Sequence, residues 1–278
     1  MALVDALSVE GDNPVLQDVA SHVEAVAGPV ATVLRDPGSG AGATPIDVLV
    51  VDPTPARPYR TLVTAGMSAR ASTAPVGWGD CRYAELALAL PRDWPWPPGP
   101  QPGGWPVDLL RSVARVPQVF GGWLWLDHTV TNGDPPRPYA PDTPLCAVVL
   151  RRVAVLGPAM ARVRRGDGES AWILAVVPLH ADELALDRRD GAPALGAALD
   201  RARVTELLDP RRPSAAAVTP APAPRPVTPS PAATPPAPTS LSRTAPVTQP
   251  RPLTPPAAPA PAEPWSPAAR RRKRFGFR

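Results

Sequence analysis

Few side chains in this chain could do acid–base or nucleophilic work, and they are scattered. The three histidines are His22, His128 and His180. None has a second histidine at ligand spacing, so no metal site is expected. His128 lies in the densest polar cluster, Trp123-Leu-Trp-Leu-Asp127-His128-Thr-Val-Thr-Asn132-Gly133-Asp134-Pro135-Pro136. Three readings of that cluster stand side by side. It is a structural corner whose polar groups bond loop backbone beneath the tryptophans, a binding surface, or an acid–base pair made by Asp127 and His128. Ser68, in Thr64-Ala-Gly66-Met-Ser68-Ala-Arg70, brushes against the nucleophile-elbow pattern G-x-S-x-G. Arg70 stands where that turn needs its second glycine, so a turn-capping hydroxyl competes with a nucleophile. A hydrolase using Ser68 or Asp127/His128 requires the two places to converge in an open pocket. Gly38-Ser-Gly-Ala-Gly42 lacks the Lys-Ser/Thr of a phosphate loop, and Pro45 stands where the following helix would begin. Cys81 and Cys146 are too few for a disulfide framework or a four-cysteine zinc site, and read as small buried hydrophobes in a reducing cytoplasm. No cofactor is expected.

The elements that would position these groups follow from periodicity. Asn13-Pro14 is a helix-opening pair, and Val15, Val19, Val23 and Val26 then recur at helical spacing up to Gly28-Pro29. Short apolar runs predict strands at 30–34, 46–51, 59–64, 145–150 and 172–177. Residues 82–90 alternate and predict a strand with one strongly apolar side, Leu86, Leu88 and Leu90. Pro106 starts a second amphipathic helix through Leu109, Leu110, Val113 and Ala114, which Pro117 ends or bends. Asp167-Gly168 marks a turn within 164–169. Closing helices are expected over 181–190 and 194–208. Strands in two groups with helices at both ends predict an α+β fold with a mixed or antiparallel sheet.

Composition divides the 278 residues in two. Twenty of the 44 prolines lie in residues 210–278, a stretch that carries 11 Lys/Arg against one acid, Glu263. Residues 1–209 carry 18 Arg against 24 Asp/Glu, a net charge of −6. The expected organisation is an acidic domain over 1–209 and a disordered, basic Pro/Ala-rich tail over 210–278. The tail ends in Arg270-Arg-Arg-Lys-Arg-Phe-Gly-Phe-Arg278. That run reads as a solubility tail, a contact with nucleic acid or anionic membrane, or a clasp onto the acidic domain. No apolar run approaches the length needed to span a bilayer. The start of the chain has no positive leader region, so a cytoplasmic protein is expected. One Lys against 28 Arg suggests a GC-rich, bacterial genome.

Several stretches also resemble a known family. Ile46-Asp-Val-Leu-Val-Val51 followed by Pro55-Ala-Arg-Pro-Tyr59-Arg60-Thr-Leu-Val-Thr-Ala-Gly-Met-Ser68 is similar to the "IDVL…RP(Y/F)xTLVTxGMS" stretch of bacterial suppressor-of-fused (SUFU) domain proteins. Arg82-Tyr-Ala-Glu-Leu86 to Leu90-Pro91 resembles that family's "(R)(Y/F)AEL…LP" strand. His128-Thr129 with Asn132-Gly-Asp134-Pro resembles its "HTxxNGxP" loop, and residues 145–150 and 177–184 its closing strands and helix. The resemblance runs from about residue 14 to 209 and leaves the tail outside. It implies a non-enzymatic protein-binding domain. The animal namesake sequesters a transcription factor, an extended peptide of which pairs as a strand in a cleft between two lobes; this chain resembles the first lobe only. Bacterial members often sit in polymorphic toxin loci and are proposed immunity proteins. The expected partner is therefore a protein, in particular a cognate basic toxin drawn to an acidic surface. The expected contact residues are Tyr59, Arg60 and Ser68 on one strand and loop, and Asp127, His128, Asn132 and Asp134 on the other loop.

Overall fold

A computed structural model describes residues 13, 15–37, 44–96 and 104–217. The chain forms α1 (Leu16–Ala27), β1 (Val30–Leu34), β2 (Asp47–Val51), β3 (Tyr59–Ala65), β4 (Ala84–Pro91), α2 (Trp105–Phe120), β5 (Thr129–Thr131), β6 (Ala147–Arg152), β7 (Arg162–Arg164), β8 (Ser170–Leu179), α3 (Ala181–Asp190) and α4 (Ala192–Arg201). The strands make one mixed sheet in the order β1-β2-β3-β4-β8-β6-β5, with β7 pairing beside β6 on β8. Only β4 and β8 run parallel; every other pair is antiparallel. The α+β expectation holds.

Helices cover both faces, which is why residues 48–51 of β2 read as a continuous apolar run. On one face α2 lays Val107, Leu109, Leu110, Val113 and Ala114 over Leu86, Leu88 and Leu90 of β4 and Leu174 and Val176 of β8. Each fully buried leucine contributes about 2 kcal/mol of transfer free energy. On the other face α1 packs Leu16, Val19 and Val23 against Ala87 and Ala89 of β4 and Ile173 of β8. The strand predicted to have one apolar side is thus buried on both, its alanine side facing the core that α1 shares. The α3–α4 pair covers the remainder of that face over Ala147, Val149, Val177 and Leu179.

Four local outcomes differ from the sequence expectation. Asn13 does not cap α1, whose N-cap is Val15. Its amide instead donates to Asp47 Oδ2 at 3.1 Å and the Ala65 carbonyl at 2.8 Å, tying the helix entrance to β2 and β3. Helix α2 runs through Pro117 and ends at Gly121 in the left-handed region. Short strands β5 and β7 were not expected. Three residues carry too little periodicity to announce a strand, and β7 is recognisable only as one arm of the hairpin whose turn is Asp167-Gly168.

The fourth difference concerns the C-terminal boundary. Beyond Ala87↔Ala175, β4 and β8 diverge. Residues 205–208, expected to be helix, fill the β4 side of that split: Ala89 donates to the Glu206 carbonyl at 2.9 Å and Leu208 to the Ala89 carbonyl at 2.8 Å. On the β8 side Arg212 donates to the Pro178 carbonyl at 2.8 Å and grips Glu183 of α3 with both terminal nitrogens, at 2.5 and 2.6 Å. The split also explains Pro178 inside a strand: its missing N–H falls where no strand neighbours it. The packed domain therefore continues past Asp209 to Ala217, whose neighbour Ala215 is fully buried. The Pro-rich segment and the Arg270–Arg278 run lie outside the described residues.

Candidate functional site

The Thr64-Ala-Gly-Met-Ser68 turn is built around a buried carboxylate. Glu85, on β4, has no exposed surface. It accepts hydrogen bonds from Thr64 Oγ1 at 2.6 Å, Gly66 N at 2.9 Å, and Ser68 N and Oγ at 2.9 and 2.6 Å. Thr64 Oγ1 in turn accepts from Leu86 N at 2.8 Å. Burial pushes the Glu85 carboxyl above its ordinary value, and the four donors oppose that shift. Gly66 sits at φ +133°, where a Cβ would lie 2.0 Å from the Pro45 carbonyl oxygen; only glycine fits this turn. Ser68 is fully buried. Its hydroxyl donates to Glu85 beneath the surface.

Tyr59 and Arg60 lie at the opposite end of β3 from Ser68. The Tyr59 hydroxyl donates to the Val155 carbonyl at 2.9 Å, fastening the segment after β6 to β3. Arg60 stacks 4.5 Å above the Trp96 ring and pairs with Asp52 at 3.1 Å. Both are half-buried supports with local partners.

The other four candidates do come together, around β5. Asp127, exposed at φ +65°, makes the bend before the strand, and its N–H donates to the Leu150 carbonyl at 2.8 Å. The His128 ring packs edge-on against Trp123, centroids 4.8 Å apart, and Trp123 meets Trp78 at 5.5 Å. Burial lowers the His128 imidazole below its usual value, with the Trp123 backbone and Asp127 partly offsetting. Asn132 closes the loop after β5 by donating its amide to the carbonyls of Arg137 and Pro138, at 2.8 and 3.2 Å. Asp134 stands exposed at the loop tip. Among the described residues no hydrogen bond joins Asp127 to the His128 ring or Ser68 to His128. The convergence that a hydrolase requires is not formed. Nor is there a cluster of metal-ligating side chains among them.

Strand β5 ends the sheet, so among the described residues one of its edges has no strand beside it. Leu150 N to His128 O, at 3.0 Å, and Asn132 N to Cys146 O, at 2.9 Å, set the even-numbered residues towards β6. The N–H and C=O groups of Thr129 and Thr131 therefore face outward. Below this edge Thr129 Oγ1 donates to Asp187 of α3 at 3.2 Å. Alongside lies a groove of about 470 Å³ between Pro136 and Ala181, Leu184, Ala185, Arg188 and Arg189. Towards the other end of the loop, Val76, Trp78, Val119 and Phe120 expose apolar surface. Thr73 joins their two segments, its Oγ1 donating to the Gly121 carbonyl at 2.6 Å. The sequence suggests short edge strands open to strand addition, but it locates neither the edge at β5 nor this patch, because both arise from separate segments brought together by folding.

No curated protein matches the chain. Among solved structures it is similar to a suppressor of fused homologue of Neisseria gonorrhoeae FA 1090, with a TM-score of 0.52 and 16% identity over 72% of this chain and 95% of that one. It is also similar to a chain of the Sufu–Fu complex, with a TM-score of 0.49 and 15% identity over 69% of this chain and 86% of that one. Drosophila Suppressor of Fused gives a TM-score of 0.46 and 15% identity, over 68% of this chain and 47% of that one. The family profile described as Suppressor of fused protein (SUFU) matches residues 42–213, which span Glu85 and its donors, the β5 edge and the Arg212 clasp. The chain belongs to the suppressor of fused protein family.

Proposed function

We propose that this domain binds and neutralises a protein partner, of the toxin-immunity type, by accepting an extended partner segment along β5. The observation that carries the reading is the open edge of β5, where Thr129 and Thr131 present outward backbone groups between an apolar patch and a groove. Strand addition draws affinity from such backbone groups and specificity from flanking side-chain pockets. Asp127, His128, Asn132 and Asp134 are the proposed contact region. Tyr59, Arg60 and Ser68 hold the scaffold. The acidic composition of residues 1–209 would steer a basic partner towards it.

Thr131→Pro tests this reading, because it deletes an outward N–H and leaves the bonds to β6 intact. Stability should change by less than about 1 kcal/mol, since proline is tolerated on a strand edge whose N–H faces solvent. In co-expression with the products of neighbouring genes, the wild-type chain should pull down one of them. Thr131→Pro should weaken that complex by about 100-fold or more. No complex with any neighbour, or equal binding by the variant, refutes the proposal.

A further inference from the structure

Strand β7 carries a second open edge, apart from β5. It pairs with β8 alone, next to the place where β6 has left, and among the described residues no strand lies on its other side. The hairpin fixes which backbone groups are free. Arg165 N donates to the Glu169 carbonyl at 2.9 Å, so Arg165 faces β8, and by alternation so does Val163. Trp172, opposite Arg162, turns its N–H the other way, to the Tyr83 carbonyl at 3.0 Å. The N–H and C=O groups of Arg162 and Arg164 therefore point away from β8.

The side chains on this edge are sorted by face. Val163 is fully buried in the core that α1 shares. Arg162 and Arg164 project on the other face, opposite Trp172 and Ser170, and Arg152 of β6 stands opposite Leu174. Residues opposite each other in an antiparallel pair share a face, and so do residues two apart on one strand. Arg164, Arg162 and Arg152 thus form a row beside β8, with steps of about 6.7 Å. All three are exposed, and none forms an ion pair among the described residues. The Arg162 guanidinium lies 5.0 Å from the centre of the Trp172 ring, a contact that orients the cation and leaves its charge in place. The hairpin's own carboxylates are taken, Asp167 by Arg165 at 2.7 Å and Glu169 by Arg82 at 3.5 Å. On a domain that is acidic in sum, this is a line of three uncompensated cations.

Period and backbone together select the occupant. Alternate side chains of an extended chain repeat at the same step as the row, so a strand laid along β7 sets every second residue beside an arginine. The outward N–H and C=O groups of Arg162 and Arg164 match a polypeptide backbone. A nucleic-acid strand offers phosphates to the guanidinium groups and nothing to that ladder. Two copies of β7 are kept from pairing with each other, because like charges would meet across the join.

We propose that the β7 edge docks an extended acidic segment of a protein partner, its backbone pairing with Arg162 and Arg164 and its Asp or Glu residues, at alternate positions, lying beside Arg152, Arg162 and Arg164. The probe is the peptide acetyl-VEVEVEV-amide. Because the Arg270–Arg278 run is cationic too, the readout must be specific to the edge. The full chain is labelled with nitrogen-15, and the backbone amide signals of Arg162 and Arg164 are assigned and followed. The peptide should move both signals to saturation and slow their exchange with solvent. Acetyl-VKVKVKV-amide and acetyl-EEEVVVV-amide should leave them in place. Arg152→Ala, Arg162→Ala and Arg164→Ala, which trim exposed side chains, should each weaken binding by about threefold. Changing all three to Glu should transfer binding to the lysine peptide. No saturable movement with the alternating acidic peptide overturns the proposal. So does equal movement with the block peptide, or unchanged affinity in the three alanine variants. Tighter binding of octathymidylate at these two amides overturns it as well, by making the row a phosphate track.

Discussion

Glu85→Ala is expected to lower stability by about 3–5 kcal/mol, a large part of the 5–15 kcal/mol that holds a domain of this size folded. The reason lies in the donors and not in the carboxylate itself. Removing the side chain strands two hydroxyls and two backbone N–H groups where no water reaches them. Urea unfolding of the purified chain measures the loss; a change under about 1 kcal/mol would refute the account of the turn. Glu85→Gln separates charge from shape. Because burial raises the folded carboxyl above its ordinary value of 4.5, the folded state holds this proton more tightly than the unfolded chain. The contribution of this proton to stability is complete below the unfolded value. It is lost as pH rises through the folded one. The wild type should therefore lose stability relative to Glu85→Gln as pH climbs above 4.5. A gap between the two proteins that stays constant with pH would show that the carboxylate is not desolvated.

The same turn shows how much of the molecule is legible in the sequence. The strands around it are visible because two covered faces demand continuous apolar runs, as in Asp47–Val51. Gly66 and Ser68 stand out by residue type, yet their purpose is invisible until Glu85, on the next strand, is brought against them. A serine after a glycine turn looks like a nucleophile; a buried carboxylate 2.6 Å away makes it a tether. Asp127–Asp134 is legible as a polar cluster, but its standing as a sheet edge depends on β6 pairing with a strand of only three residues.

Truncation of the chain after Asp209, or Arg212→Ala alone, should cost about 3–5 kcal/mol, even though composition places both inside the proline-rich segment. Arg212 is the sole cation paired with Glu183 among the described residues, and Glu183 has no exposed surface. Its two carboxylate oxygens also accept the N–H groups of His180 and Ala215, at 2.8 and 2.7 Å, so one side chain caps α3 and anchors the C-terminal segment. Taking away the guanidinium leaves a charge buried beneath the α3–α4 layer. Replacing both partners together, as in Arg212→Leu with Glu183→Leu, removes the stranded charge. It should recover only part of the loss, because the N–H groups of His180 and Ala215 then lose their acceptor. Urea unfolding of Arg212→Leu, Glu183→Leu and the pair closes a double-mutant cycle with a coupling of about 2 kcal/mol or more. If the truncated chain melts with the full one, residues 210–217 are not needed to fill the β8 side of the split, and the segment at Glu206–Leu208 closes the sheet by itself.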